Sequence, residues 1–160
     1  MKRMTISYLR MGALLLLVAG GTLLAGRPAS AALGAAESGI VADQNALHAT
    51  LAVRATDGYA VHTMSTANGL NVREYVNPSG LVFAIAWDGP VRPDLQQLFG
   101  AYYAEYSAAL LKIRPLGLHR SLRLDTAAMH VELGGHMRAY AGLAYLPAMM
   151  PSGVSREQVR

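Results

Sequence analysis

The residues best placed for chemistry lie in one short run, Val72-Arg73-Glu74-Tyr75-Val76. Side chains of an extended strand alternate between faces, so Val72, Glu74 and Val76 share one row and Arg73 and Tyr75 the other. Glu74 therefore falls among apolar neighbours. A carboxylate in that setting is exposed at an edge, paired with an arginine, or buried with a raised pKa suited to acid–base work. Arg123 and Arg138, on a later hairpin, are the candidate partners. A structural ion pair or an exposed carboxylate is weighted above a functional site, and on that reading Glu74→Gln destabilises the fold. Arg73 and Tyr75 enter as candidate functional residues of the other row.

Trp87-Asp88-Gly89-Pro90 holds the single tryptophan and leads toward a helix N-terminus, where oriented backbone donors suit an anionic group. Trp87 and Asp88 are candidates for a ligand-binding lip. The plainer reading has Trp87 capping the core and Asp88-Gly89-Pro90 making a turn. The five histidines, His48, His62, His119, His130 and His136, raise the question of a metal. With Gly134-Gly135 as a two-residue turn, His130 and His136 fall on opposite faces of their hairpin and cannot share an ion. No HxH or HxxxH spacing occurs either, so no metal site is expected. His136 and Arg138 remain candidate functional residues. The motifs G-x-S-x-G, S-x-x-K and H-E-x-x-H and a phosphate-cradling glycine loop do not occur, so no catalytic residue is assigned and no cofactor is implied.

These residues need a scaffold, and turn signals outline one. Asp57-Gly58, Asn68-Gly69 and Asn77-Pro78-Ser79-Gly80 separate four segments rich in β-branched and aromatic residues, 48–55, 59–65, 70–76 and 81–87. That is the pattern of an antiparallel meander. In the last segment Leu81, Phe83, Ile85 and Trp87 are expected on one face and Val82, Ala84 and Ala86 on the other, both apolar, as in a central strand. Pro93 and Asp94 open one main helix reaching about residue 113. Its apolar stripe runs through Leu98, Phe99, Tyr102, Tyr106 and Ile113, with Tyr103 directed elsewhere. Gly100 inside this helix costs about 1 kcal/mol relative to Ala, which implies a close neighbour.

Pro115 and Gly117 end the helix, and a closing hairpin pairs 121–133 with 136–146. A proline-marked tail, 147–160, completes the domain. Its segment Leu146-Pro147-Ala148-Met149-Met150-Pro151 suits docking on a partner or on its own sheet, the second being the commoner case. The expected fold is α+β: an antiparallel sheet of about six strands, a four-strand meander plus a C-terminal hairpin, with one main helix packed on a face.

Residues 1–31 read as a cleavable secretion signal, with Lys2, Arg3 and Arg10 ahead of an apolar run from Met11 to about Leu24 and an Ala29-Ser30-Ala31 cleavage site. Gly20-Gly21 and Gly26 interrupt the run, which falls short of the roughly twenty apolar residues of a membrane span. No stable span is expected after cleavage. Residues 32–45, small and rich in Gly and Ala, are expected to form a flexible lead, and 46–160 a single domain. Four of the fourteen basic residues lie in the first 31 positions, while all ten acidic residues follow. The remainder is neutral and gives no reason to expect nucleic-acid or anionic-membrane binding. The absence of cysteine excludes disulfides, thiolate metal sites and a Cys nucleophile.

Residues 69–106, GLNVREYVNPSGLVFAIAWDGPVRPDLQQLFGAYYAEY, and 134–155, GGHMRAYAGLAYLPAMMPSGVS, resemble a family of exported bacterial proteins grouped as domain-of-unknown-function family 2844. The resemblance spans nearly all of the chain after the signal and rests on the order of V-R-E-Y-V, A-W-x-G-P, P-D-L and G-G-H-M. It implies a secreted bacterial protein and brings no activity, cofactor or catalytic residue. The functional expectation is an exported, periplasmic or secreted, binding or interaction module of the cell envelope, with an envelope protein or small ligand as partner. The alternative is a small periplasmic enzyme, hydrolase-like, with a polar site assembled in space. Oligomeric state is not fixed by the sequence.

Overall fold

The computed structural model describes residues 32–113 and 121–160. Residues 1–31, the expected signal, and Pro115, Gly117 and His119 lie outside the described residues. The strands are Thr50–Thr56 (β1), Tyr59–Ser65 (β2), Asn71–Val76 (β3), Val82–Gly89 (β4), Leu122–Asp125 (β5), His130–His136 (β6) and Ala139–Tyr145 (β7). All pair antiparallel in one seven-stranded sheet of order β1-β2-β3-β4-β7-β6-β5. The class is the expected α+β.

The meander follows its turn residues. Asp57-Gly58 closes a two-residue hairpin between Thr56 and Tyr59, with Gly58 at φ +88°, a left-handed conformation that glycine adopts without a Cβ clash. Asn77 shapes the corner before β4, its side-chain carbonyl accepting from the Ser79 and Leu81 amides at 3.0 and 3.1 Å. A bulge between Tyr75 and Val76 then shifts the register. It corrects the expected rows of β4: Phe83 joins Ala84 and Ala86 on one face, and Val82 joins Ile85 and Trp87 on the other. Both faces are apolar and buried, as a central strand requires.

Two strands stand where one was expected over 121–133. Thr126 makes the intervening turn, its hydroxyl donating to the Met129 carbonyl and accepting from the Met129 amide, both at 3.0 Å. β6 then continues through Gly134-Gly135, and the hairpin turns at Met137-Arg138 with Arg138 at φ +62°. His130 and His136 therefore share one side of β6, correcting the opposite-face expectation, but six strand positions separate them by about 20 Å.

The main helix is interrupted. Helix α2 (Leu95–Phe99, numbered after α1 below) is capped by Asp94, whose carboxylate accepts from the Gln96 and Gln97 amides at 2.8 and 3.4 Å. A 3-10 turn at Gly100–Tyr102 leads into α3 (Tyr103–Leu110). Gly100 takes φ +50°, and a Cβ there would lie 2.3 Å from the Ala32 Cβ. The close neighbour is thus the segment expected to be a flexible lead. Residues 32–45 instead belong to the fold: Leu33 donates to the Leu98 carbonyl and Gly34 to the Val82 carbonyl at 2.9 and 2.8 Å. Helix α1 (Ile40–Leu47) follows, with Leu33 and Ile40 buried. Because α3 stops at Leu110, Ile113 is exposed rather than buried, and Tyr103 is half-buried against Tyr106.

The two faces of the sheet have different covers. Residues 32–47 and the helices close one face over Met64, Val72, Ile85 and Trp87. The tail closes the other, with Met149, Met150, Val154 and Val159 packed against the cluster of Tyr75, Phe83 and Leu143. The tail therefore docks on its own sheet. No helix among the described residues is long and apolar enough to cross a membrane.

Candidate functional site

Strand β3 sends its candidate residues to opposite faces. Glu74 enters the helix face, fully buried, across from His62 in β2 and Ile85 in β4. Around it lie Asp43 of α1, which is buried and accepts from the Gln97 side chain at 3.2 Å, and His62, whose Nε2 is 3.0 Å from Glu37. As a bare carboxylate Glu74 would meet no hydrogen-bond donor among the described residues. Burial first, then the Asp43 charge and a hydrogen bond with Asp43, push the Glu74 pKa up to about 9. At neutral pH Glu74 is a neutral acid hydrogen-bonded to Asp43.

That arrangement replaces the expected ion pair. Arg123 is not a partner of Glu74, since its Nε lies 3.1 Å from Glu132. Nor is Arg138, which sits in the β6–β7 turn.

Arg73 and Tyr75 face the tail. Arg73 donates through Nη1 to Asp88 and through Nε to the main-chain carbonyl of Arg160, both at 2.6 Å. The Tyr75 hydroxyl accepts from the Arg160 amide at 2.8 Å and donates to the Arg160 carbonyl. Asp88 also accepts from Asn71 at 3.2 Å. Partial burial opposes ionisation of Asp88, but the hydrogen bonds from Asn71 and Arg73 and the Arg73 charge prevail and hold its carboxyl below the ordinary value. Nearby, Glu132 is held by His130 at 2.9 Å, by Arg123 and by Arg156. Burial again works against ionisation, and these partners outweigh it, keeping Glu132 below the usual carboxylate range.

Between these pairs lies a groove of about 800 Å³. Its charged lining is Arg73, Arg123, Arg156 and Arg160 against Asp88 and Glu132, a local surplus of positive charge although residues 32–160 as a whole are balanced. Gly134, Gly135 and Gly142 contribute backbone only, and Trp87 borders the groove as well as the core, stacked above Gly142. The Nε of Arg156 is buried and meets no acceptor among the described residues. The exposed edge of a planar guanidinium beside further arginines can hold a carboxylate or phosphate oxygen.

Of the sequence candidates, the structure brings Arg73, Trp87 and Asp88 to the groove and sets Tyr75 beside its Arg160 rim. Glu74 lies on the other face, and His136 and Arg138 stand at the exposed turn. The helix N-terminus suggested for an anion is already filled by Asp94. Sequence reasoning missed Glu132 and Arg156. A parity signal was available for Glu132, two strand positions from His130, whereas Arg156 lies in an aperiodic tail. No group of three His, Cys, Asp or Glu among the described residues could hold a metal ion.

Residues 29–159 match the family model described as "Protein of unknown function (DUF2844)". No curated protein and no solved structure matches the chain.

Proposed function

The chain belongs to this family of unknown function, DUF2844, and from that premise we propose that it is an exported binding module of the cell envelope that holds an acidic ligand in the arginine-lined groove. The observation that carries the reading is the groove's charged lining, four guanidinium groups against two carboxylates. Arg73 and Arg156 are each anchored by one carboxylate partner, so their geometry is set before a ligand arrives. Export is supported by the charged, apolar and Ala-Ser-Ala parts of residues 1–31. A hydrolase would need a nucleophile within reach of a free base. Ser121 borders the groove, but His130 is engaged by Asp125 and Glu132, which favours binding over catalysis.

Calorimetric titration with citrate and with inorganic phosphate tests the groove. Saturable binding that weakens with salt and is lost in Arg156→Gln supports it, since a partly exposed charge cluster is screened. No heat with either probe, or equal binding by the variant, refutes it.

A further inference from the structure

We infer that the ligand of the groove is a linear acidic polysaccharide, a chain of uronic-acid sugars laid across the sheet from Arg73 to Arg123; this rests on the acidic-ligand reading above. The register of the strands makes the groove a straight trough. Arg73 in β3 stands opposite Ala86 in β4, Ala86 opposite Leu143 in β7, Leu143 opposite Glu132 in β6, and Glu132 opposite Arg123 in β5. Directly opposed residues share a face, so these form one row on the tail side, perpendicular to the strands. Asp88, Ala141 and Gly134 form the adjoining row, two positions along their strands. Ala141 and Gly134 carry little or no side chain, which makes this second row the low floor of the groove. From Arg73 to Arg123 is four strand steps, roughly 19 Å at 4.7–4.9 Å each.

Charge gathers toward the two ends of the trough. Arg73 pairs with Asp88 and holds Arg160 beside it, while Arg123 and Arg156 pair with Glu132. Each station thus has two arginines and one carboxylate. A single phosphate or carboxylate reaches one station only, and a groove of about 800 Å³ is in the size range for a much larger ligand. Two like stations along one trough suit a chain that repeats its acidic group.

The same stations choose among polyanions. Asp88 and Glu132 repel a chain that carries charge alone, such as polyphosphate or nucleic acid, and residues 32–160 have no net positive charge to draw one in. They do suit a chain that also offers hydroxyl groups, since an ionised carboxylate keeps acceptor sites after bonding an arginine. An extended peptide gains little, because the trough runs across the strands rather than along an edge where its main chain could pair. A uronic acid supplies both partners. Its carboxylate accepts from a guanidinium, its ring hydroxyls donate to Asp88 and Glu132, and the face of its ring lies on the floor of Ala141 and Gly134.

Calorimetric titration of the protein with citrate, galacturonate, tetragalacturonate, polyphosphate and hexaglutamate at one salt concentration is the test. Tetragalacturonate should bind about tenfold or more tighter than galacturonate, because it links two stations, and tighter than the other two polyanions. Arg123→Gln removes one end and Ala141→Leu raises the floor between the ends. Each should erase the advantage of the tetramer over the monomer, with a melting curve like that of the wild type, since both positions are exposed. Equal binding of monomer and tetramer, an advantage that survives both variants, or tighter binding of polyphosphate or hexaglutamate overturns the inference and leaves an acidic ligand in the groove. Binding of citrate without binding of tetragalacturonate does the same, and no binding by any probe overturns the acidic-ligand reading as well.

Discussion

Arg73 and Glu74 are adjacent on one strand and live in opposite electrostatic worlds. Arg73 faces a carboxylate and a carbonyl at the groove. Glu74 faces the helix-side core and is kept neutral by burial and by Asp43. The pleat alone makes this division, since it sends neighbours to two environments a few ångströms apart. The lesson is that V-R-E-Y-V is two half-sites, one inside the core and one lining the groove, and that removing either cover should affect them differently.

The largest effect is expected from truncation after Tyr145. It strips Leu146 and Val159, both buried, and the partly buried Met149, Met150 and Val154 from the sheet, at roughly 1.5–3 kcal/mol for each fully buried side chain and less for the others. That sum reaches the lower end of the stability of a typical domain, about 5–15 kcal/mol. Thermal denaturation should show loss of the cooperative transition.

An intermediate effect is expected on the helix face. The Glu74 pKa is raised on folding, so between the unfolded value of 4.5 and the folded value of about 9 the native state holds a proton that the unfolded chain has released. Stability from this group is full below that window and falls as pH rises through it, by at most roughly 1.4 kcal/mol per pH unit. Glu74→Gln keeps the shape of the neutral acid and a donor for Asp43. Chemical denaturation across pH should therefore find the variant tolerated and less pH-sensitive than the wild type, contrary to the destabilisation an ion pair implies.

The smallest effect belongs to the groove. Asp88 has a lowered folded pKa, so its contribution is present above its unfolded value and is lost as pH falls through the folded one. Asp88→Asn should cost no more than about 1 kcal/mol near neutrality, as for other partly exposed pairs, and should flatten the acid limb of the same pH series.

Much of the sheet was legible because its turns use residues with distinctive backbone freedom, as at Asp57-Gly58 and Asn77. The β5–β6 turn was hidden because Thr126 makes it without glycine or proline. Residues 32–45 were misread because few large apolar side chains, chiefly Leu33 and Ile40, tie them to the core, and backbone hydrogen bonds do the rest. Parity exposed the oddity of Glu74 but not its partner, since Asp43 lies on an element the sequence did not reveal. The groove was half legible: Arg73 and Asp88 are near in the meander, but Arg156 reaches Glu132 across the tail, a contact that no local spacing encodes.

Trp87 lies with Phe99 on its core side, ring centroids 6.0 Å apart, and borders the groove on the other. Because it is the chain's only tryptophan, its emission is an optical reporter already built into the molecule. The buried indole should fluoresce at short wavelength in the native state, shift to the red when the core opens, and change intensity when an anion settles beside it.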